Sequence, residues 1–210
     1  MAVKKRDRKV YVRLFRLHFI PVTVLIFGTL PVPVVLGLHV TMSPLIYIIL
    51  AFGTATNILW FCYGTMLNDY HDRDTDSQNP FGHTVFSEGY FTDLEMKKLI
   101  RNFAIASLVC ELPQFGFIYY AHTNVVPDLL ALAGLVIIGF VLATAYSKPP
   151  LWTKRRLLGS MYTLMMVYVI CFLRFALVLG GWNFFLLNGK YLFGICWFLF
   201  IDHATSSLSL

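Results

Sequence analysis

Charge is scarce in this chain. Only 13% of its 210 residues are Asp, Glu, Lys or Arg, about half the roughly 25% of a soluble domain. Meanwhile 58% are hydrophobic and the mean hydropathy is +0.68. This balance excludes an ordinary soluble enzyme. Cysteine is sparse as well: Cys62, Cys110, Cys171 and Cys196 all fall in apolar runs and show no CxxC spacing. They read as small buried hydrophobes, so neither a disulfide framework nor a zinc site is implied. The connections at 39–43 and 122–124 contain no Lys or Arg at all, and linker-like and low-complexity stretches are missing. What remains is a chain built almost wholly from long apolar runs.

Those runs predict an all-α, polytopic transmembrane helix bundle forming one membrane domain over residues 1–210, with spans near 19–38, 44–67, 102–121, 125–146, 157–179 and 191–208. The first run holds 20 residues without a formal charge, about 30 Å as a helix and enough to cross the hydrocarbon core. It exceeds the roughly 7–15-residue apolar region of a signal peptide, and the following 35–39 lacks a small-residue cleavage pattern, so it is expected to stay as a span. Fifteen of the 17 Lys and Arg fall in the basic tail 1–16, after the second span, or after the fourth. These connections share one side of the membrane, which places the N-terminus in the cytoplasm by the positive-inside rule. The net charge of +6 is therefore topology, and no nucleic-acid partner is implied.

Residues 68–76, Asn68-Asp69-Tyr70-His71-Asp72-Arg73-Asp74-Thr75-Asp76, carry the densest chemistry. Four acidic side chains at the end of a span are costly and point to function. If the helix continues through them, Asn68, Asp72 and Asp76 lie at i, i+4 and i+8, one face drifting by about 40° per step. Such a stripe offers hard oxygen ligands for Mg²⁺ while leaving positions for substrate phosphates. A solvated acidic loop, or a cap for the next element, is the plainer alternative. A transporter's coupling site fits less well, because coupling acids lie near the bilayer midplane in broken helices. On the same cytoplasmic side, Tyr146-Ser147-Lys148-Pro149-Pro150 followed by Lys154-Arg155-Arg156 supplies a phenol, a hydroxyl and cations. Metal ions and cations together suit a diphosphate, although Tyr146 also fits an interfacial belt, and Arg155 with Arg156 ordinary positive-inside charge.

The pattern Asn68-Asp69-x-x-Asp72-x-x-x-Asp76 resembles the first aspartate-rich motif of the UbiA superfamily of intramembrane prenyltransferases. Tyr146-Ser147-x-Pro149-Pro150-x-x-x-Lys154 looks like a second signature of that family, and Leu14-Phe15-Arg16 resembles its entry into the first helix. Over residues 11–200 the chain resembles about the first two-thirds of a nine-helix family member. The resemblance implies Mg²⁺-dependent transfer of a prenyl group from an isoprenyl diphosphate to an aromatic or lipid acceptor within the membrane. It makes Asn68, Asp72 and Asp76 metal and diphosphate ligands, with Asp69 in support. Lys154 would contact diphosphate oxygens and Tyr146 the leaving group, with Arg16, Ser147 and Lys148 as further substrate contacts.

One departure divides the reading. The family carries a second aspartate-rich motif after its sixth helix, whereas here Asp202-His203 is the only acidic feature near Leu210. The enzyme reading therefore expects a longer frame or a partner chain to supply that motif; the alternative is a truncated, non-catalytic membrane protein of the same ancestry. The Arg-Pro pair common after the first motif is replaced by residues 79–89, in which Ser87-Glu88-Gly89 still resembles a family turn. Glu111 and Arg174, inside spans, would each cost roughly 2–4 kcal/mol unpaired. They are expected to pair with each other or with Asn57 and Gln114, unless Arg174 serves the substrate pocket. Thr92 followed by Glu95 reads as a helix start opening the third span, with Leu94 and Ile100 packing below. Prolines 21, 31, 33 and 113 are expected to kink their spans. His18, His39, His122 and His203 read as interfacial; His71 and His83 flank the acidic stripe without metal-ligand spacing.

Overall fold

The structure is a computed structural model, and it describes residues 4–15, 32, 34–35, 40–78, 84–148, 163 and 166–182. Apart from residues 32, 34 and 35, the expected spans at 19–38 and 191–208, with Arg16 and Lys154, lie outside the described residues. Among the described residues the chain is helical and forms no strand. The helices are α1 (Arg8–Leu14), α2 (Pro44–Gln78), α3 (Asp93–Ala121), α4 (Val125–Ser147) and α5 (Met166–Trp182). Of these, α2, α3 and α4 are long and apolar enough to cross a membrane.

Helix α2 differs from the expected span. At 35 residues it measures about 52 Å at 1.5 Å per residue, against roughly 30 Å of hydrocarbon. The apolar part ends near Leu67, but the backbone satisfies its own hydrogen bonds and the helix runs on to Gln78. The polar connection expected after residue 67 therefore begins as helix. The stretch from Thr84 turns back through a reciprocal pair, Thr84 N–H to Ser87 Oγ at 2.9 Å and Ser87 N–H to Thr84 Oγ1 at 3.2 Å. Gly89 completes this turn at φ 81°, a left-handed conformation that costs a residue with a Cβ about 1–2 kcal/mol.

Helix α3 starts as the sequence predicts. Thr92 accepts from Glu95 N–H at 3.3 Å, and the Glu95 carboxylate accepts from Thr92 N–H at 2.9 Å, a complete capping box. Leu94 does not pack below it, being 62% exposed: the first turn lies outside the apolar cluster, and Met96 fills the inward position. The helix continues through Pro113.

The basic tail packs onto the helices that follow it. Asp7 caps α1 by accepting from Val10 N–H at 3.0 Å, and Val10 with Leu14, four apart on one face, buries against Cys62, Met66, Phe86, Phe91 and Met96. Arg6 donates to both Glu95 oxygens at 2.6 and 2.7 Å and to the Tyr90 carbonyl at 2.8 Å; its guanidinium lies 4.4 Å from the Phe91 ring centre. Arg13 pairs with Glu88 at 2.5 Å. The Arg6 hydrogen bond, followed by the Thr92 cap, holds the Glu95 carboxyl down to about 2 from its usual 4.5. A depressed carboxylate contributes its stability above its unfolded pKa and loses it as pH falls through the folded one. Hydrogen-exchange protection of residues 8–14, corrected for intrinsic rates, should therefore decline as pH drops from about 4.5 toward 2. Glu95→Gln should flatten that profile and lower protection at neutral pH; an unchanged profile would detach the tail from Glu95.

Helix α5 is the core. Residues 170–172 and 174–178 are all buried, as expected of a helix that is apolar on every side. It packs against Ile49 and Trp60 of α2, Ile118 of α3, and Leu132 and Val136 of α4. Those outer helices turn Leu112, Leu130 and Ile137 outward, each more than 60% exposed, an apolar surface suited to lipid.

One ionic group sits inside this core. Arg174 and Glu111 are each 1% exposed. Arg174 Nε donates to Glu111 Oε1 at 3.0 Å, Nη2 donates to Glu111 Oε2, and Nη1 donates to Asn57 Oδ1 at 2.6 Å. Gln114 Nε2 adds a bond to Glu111 Oε2 at 3.0 Å. The expected structural pairing is what forms, and it ties α2, α3 and α5 together.

Candidate functional site

A cavity of about 280 Å³ opens between α2, α4 and α5. Its α2 wall is set by helical periodicity: Asn57, Trp60, Phe61, Gly64 and Asn68 recur at intervals of three or four and share one face. From α4 come Gly139, Phe140, Ala143 and Tyr146, and from α5 Val167 and Tyr168, with Thr163 just ahead. The strands of sequence that carry the two polar motifs thus meet here: Asn68 from residues 68–76 and Tyr146 from the second cluster line the same space. Asn57 lies eleven residues before Asn68, about 16 Å deeper along the α2 axis.

The inner end is aromatic and braced. The Trp60 ring sits 5.5 Å from the Phe140 ring in an edge contact, with the Arg174 guanidinium 4.6 Å from its centre. Gly139 makes this approach possible, since a Cβ there would meet the indole at 2.4 Å. Halfway along, Tyr63 Oη and Thr144 Oγ1 lie 3.2 Å apart and bridge α2 to α4. Arg174 is not part of the lining; it stands behind Asn57 and Trp60, so its reach is structural.

The remaining predicted residues fall around the mouth. Asp72 and Asp76 follow Asn68 on the same stripe of α2, both half-buried, while Asp69 is 4% exposed and faces away from the lining. Ser147 is wholly buried and outside the lining, and among the described residues its Oγ has no hydrogen-bond partner. Lys148 caps α4 and is exposed. Across the connection, Tyr70 stacks on Phe86 at 5.6 Å and the Arg73 guanidinium lies 4.8 Å from the same ring, which seats the 84–90 turn against the acidic end of α2.

The donor set bears on Mg²⁺. Among the described residues no three His, Cys, Asp or Glu side chains converge as a metal centre, and Asn68 to Asp76 rises about 12 Å along the helix. A closed all-protein cage is therefore not what these residues offer. They fit the other habit of Mg²⁺, which takes one or two carboxylates, keeps waters and shares substrate phosphates.

Two features escape a reading by motif. The cavity residues Asn57, Trp60, Tyr63 and Thr163 belong to no motif; only their three-to-four spacing on an otherwise apolar helix singles out the α2 members. At the opposite end of the bundle, Asp128 is 1% exposed. Its Oδ2 lies 2.6 Å from His122 Nδ1, and its Oδ1 accepts from Trp182 N–H at 2.7 Å. His122 Nε2 lies 2.9 Å from the Val178 carbonyl, which only accepts, so Nε2 carries a proton. His122, at the C-terminal end of α3, is a half-buried link between the α3–α4 hairpin and α5. The signal was Asp128 itself, a lone carboxylate six residues on in an apolar run.

Neither protein-family models, curated proteins nor solved structures match this chain.

Proposed function

We propose that this chain binds an isoprenyl diphosphate and transfers its prenyl group to an aromatic or lipid acceptor inside the membrane, as UbiA-type prenyltransferases do. In this reading it is a six-span bundle with a cytoplasmic N-terminus, and the mouth of the cavity faces the cytoplasm. The observation that carries the reading is the meeting of Asn68 and Tyr146 at one cavity whose deeper walls are apolar and aromatic.

Each residue then has a task its chemistry suits. Asn68, Asp72 and Asp76 would hold Mg²⁺, which supplies neutralisation of the diphosphate as it departs. Lys148 and, by the family resemblance, Lys154 would add fixed positive charge for the same oxygens, and the Tyr146 phenol would donate a hydrogen bond to the bridging oxygen. The allylic C–O bond breaks and its electron pair leaves with the diphosphate. A nucleophilic carbon or oxygen of the acceptor bonds to the freed carbon and gives up its proton to the released diphosphate. The apolar lining of the cavity excludes water from the cation.

A second reading keeps the site and drops the turnover: a non-catalytic relative with one diphosphate half-site. It draws on the sequence, in which no second aspartate-rich motif accompanies residues 68–76. Release of inorganic diphosphate from geranyl diphosphate, by the chain in nanodiscs with a phenolic acceptor, separates the two. Release that requires Mg²⁺ supports transfer. Binding without release supports the half-site, and the absence of both overturns the proposal.

A further inference from the structure

The inner end of the cavity is a wall that hydrocarbon cannot easily push aside. Trp60 and, one turn deeper, Asn57 form it, and the indole is held from three directions: by Phe140 at 5.5 Å, by the Gly139 backbone it lies against, and by the Arg174 guanidinium 4.6 Å from its ring centre. Arg174 is itself fixed by Glu111 and Asn57. Moving the indole inward would displace a charged group of α5 that is bonded to α2 and α3, and breaking such a buried pair is costly. The space in front of it is limited. At about 280 Å³, mouth included, the cavity is a little under twice the roughly 150 Å³ that accommodates one benzene, which sets an upper limit of about eleven carbons at equal filling.

We infer that Trp60 sets the length of apolar tail this cavity accepts, selecting a ten-carbon prenyl group over a twenty-carbon one. The inference rests on the prenyl diphosphate reading of the site and goes beyond it by naming the substrate's size and the residue that fixes it. With the diphosphate at Asn68, the tail runs inward along α2 and ends against the indole about two turns deeper, Asn68 and Trp60 being eight residues apart. Trp60 touches no reacting atom in this arrangement; it is a specificity determinant.

The test is competition binding of geranyl, farnesyl and geranylgeranyl diphosphate with Mg²⁺ to the full chain in nanodiscs, for wild type, Trp60→Ala and Trp60→Phe. Wild type is expected to bind the ten-carbon compound at least about tenfold more tightly than the twenty-carbon one, a difference of about 1.4 kcal/mol. Trp60→Ala should remove or reverse that preference, and Trp60→Phe should shift it partway. The phenylalanine variant keeps an aromatic ring against Gly139 and Arg174, so it answers the question even if the alanine variant fails to fold. Equal affinity of wild type for all three, or a length preference untouched by either variant, would overturn the wall as a ruler while leaving the site intact. Failure of all three to bind folded wild type would sink the diphosphate site, and the ruler with it.

Discussion

Arg174→Met is expected to be the most damaging single substitution in the described part of the bundle, costing about 3–5 kcal/mol of unfolding free energy in detergent. The variant leaves Glu111 at 1% exposure with its charge uncompensated, and takes the partner from Asn57 Oδ1 as well. The loss has little to do with the volume of the side chain, since methionine is apolar and of similar length. Pairing the change with Glu111→Leu removes the stranded charge, so the double variant should recover much of the loss. Replacing both members of a buried pair with apolar groups is often neutral or stabilising. A double variant as unstable as the sum of the singles would mean that the two side chains act independently, against the geometry.

Asp72→Asn and Asp76→Asn are expected to weaken Mg²⁺-dependent binding of a prenyl diphosphate by about 10–100-fold each, the range found when the support of a metal site is removed. Both substitutions keep the size of the side chain and its place on α2, so the helix and its packing should be unchanged. Asp74→Asn serves as the control: Asp74 is exposed and lies off the stripe shared by Asn68, Asp72 and Asp76. It removes the same formal charge from the same stretch and should leave affinity close to wild type. Loss of affinity in all three alike would indicate general attraction by the acidic stretch, since salt-screened surface charge acts without regard to helix face.

The apolar runs made the helical architecture legible because hydrocarbon-length segments with few charges admit one regular backbone. The capping box at Thr92 and Glu95 was readable for a local reason: both partners lie within one turn. The Arg174–Glu111–Asn57–Gln114 group was legible from cost alone, as charge in an apolar span must find a partner. The full length of α2 was harder to read. Hydropathy falls at Leu67, yet the polar residues beyond it continue the helix to Gln78, because a turn of helix needs no apolar environment. Docking of Arg6 and Arg13 onto Glu95 and Glu88 was hidden by sequence separations of 89 and 75. In a count of basic residues the two look like any others near the membrane. Trp60 and the cavity it closes stayed hidden because an aromatic residue on an apolar helix is ordinary core by composition. Only the arrangement of α4 and α5 around it gives it a wall to form. The link made by His122 was concealed in the same way, by a partner that matters only once the α3–α4 hairpin is closed.

The central claim is that the acidic end of α2 and the cavity below it hold a prenyl diphosphate through Mg²⁺. Titration of geranyl diphosphate into the chain in nanodiscs, with Mg²⁺ and then with a chelator, tests it most directly. Saturable binding that requires Mg²⁺ and is not reproduced by geraniol is the result the account predicts. Binding indifferent to the metal, or no binding by a sample whose helical content is intact, would contradict it.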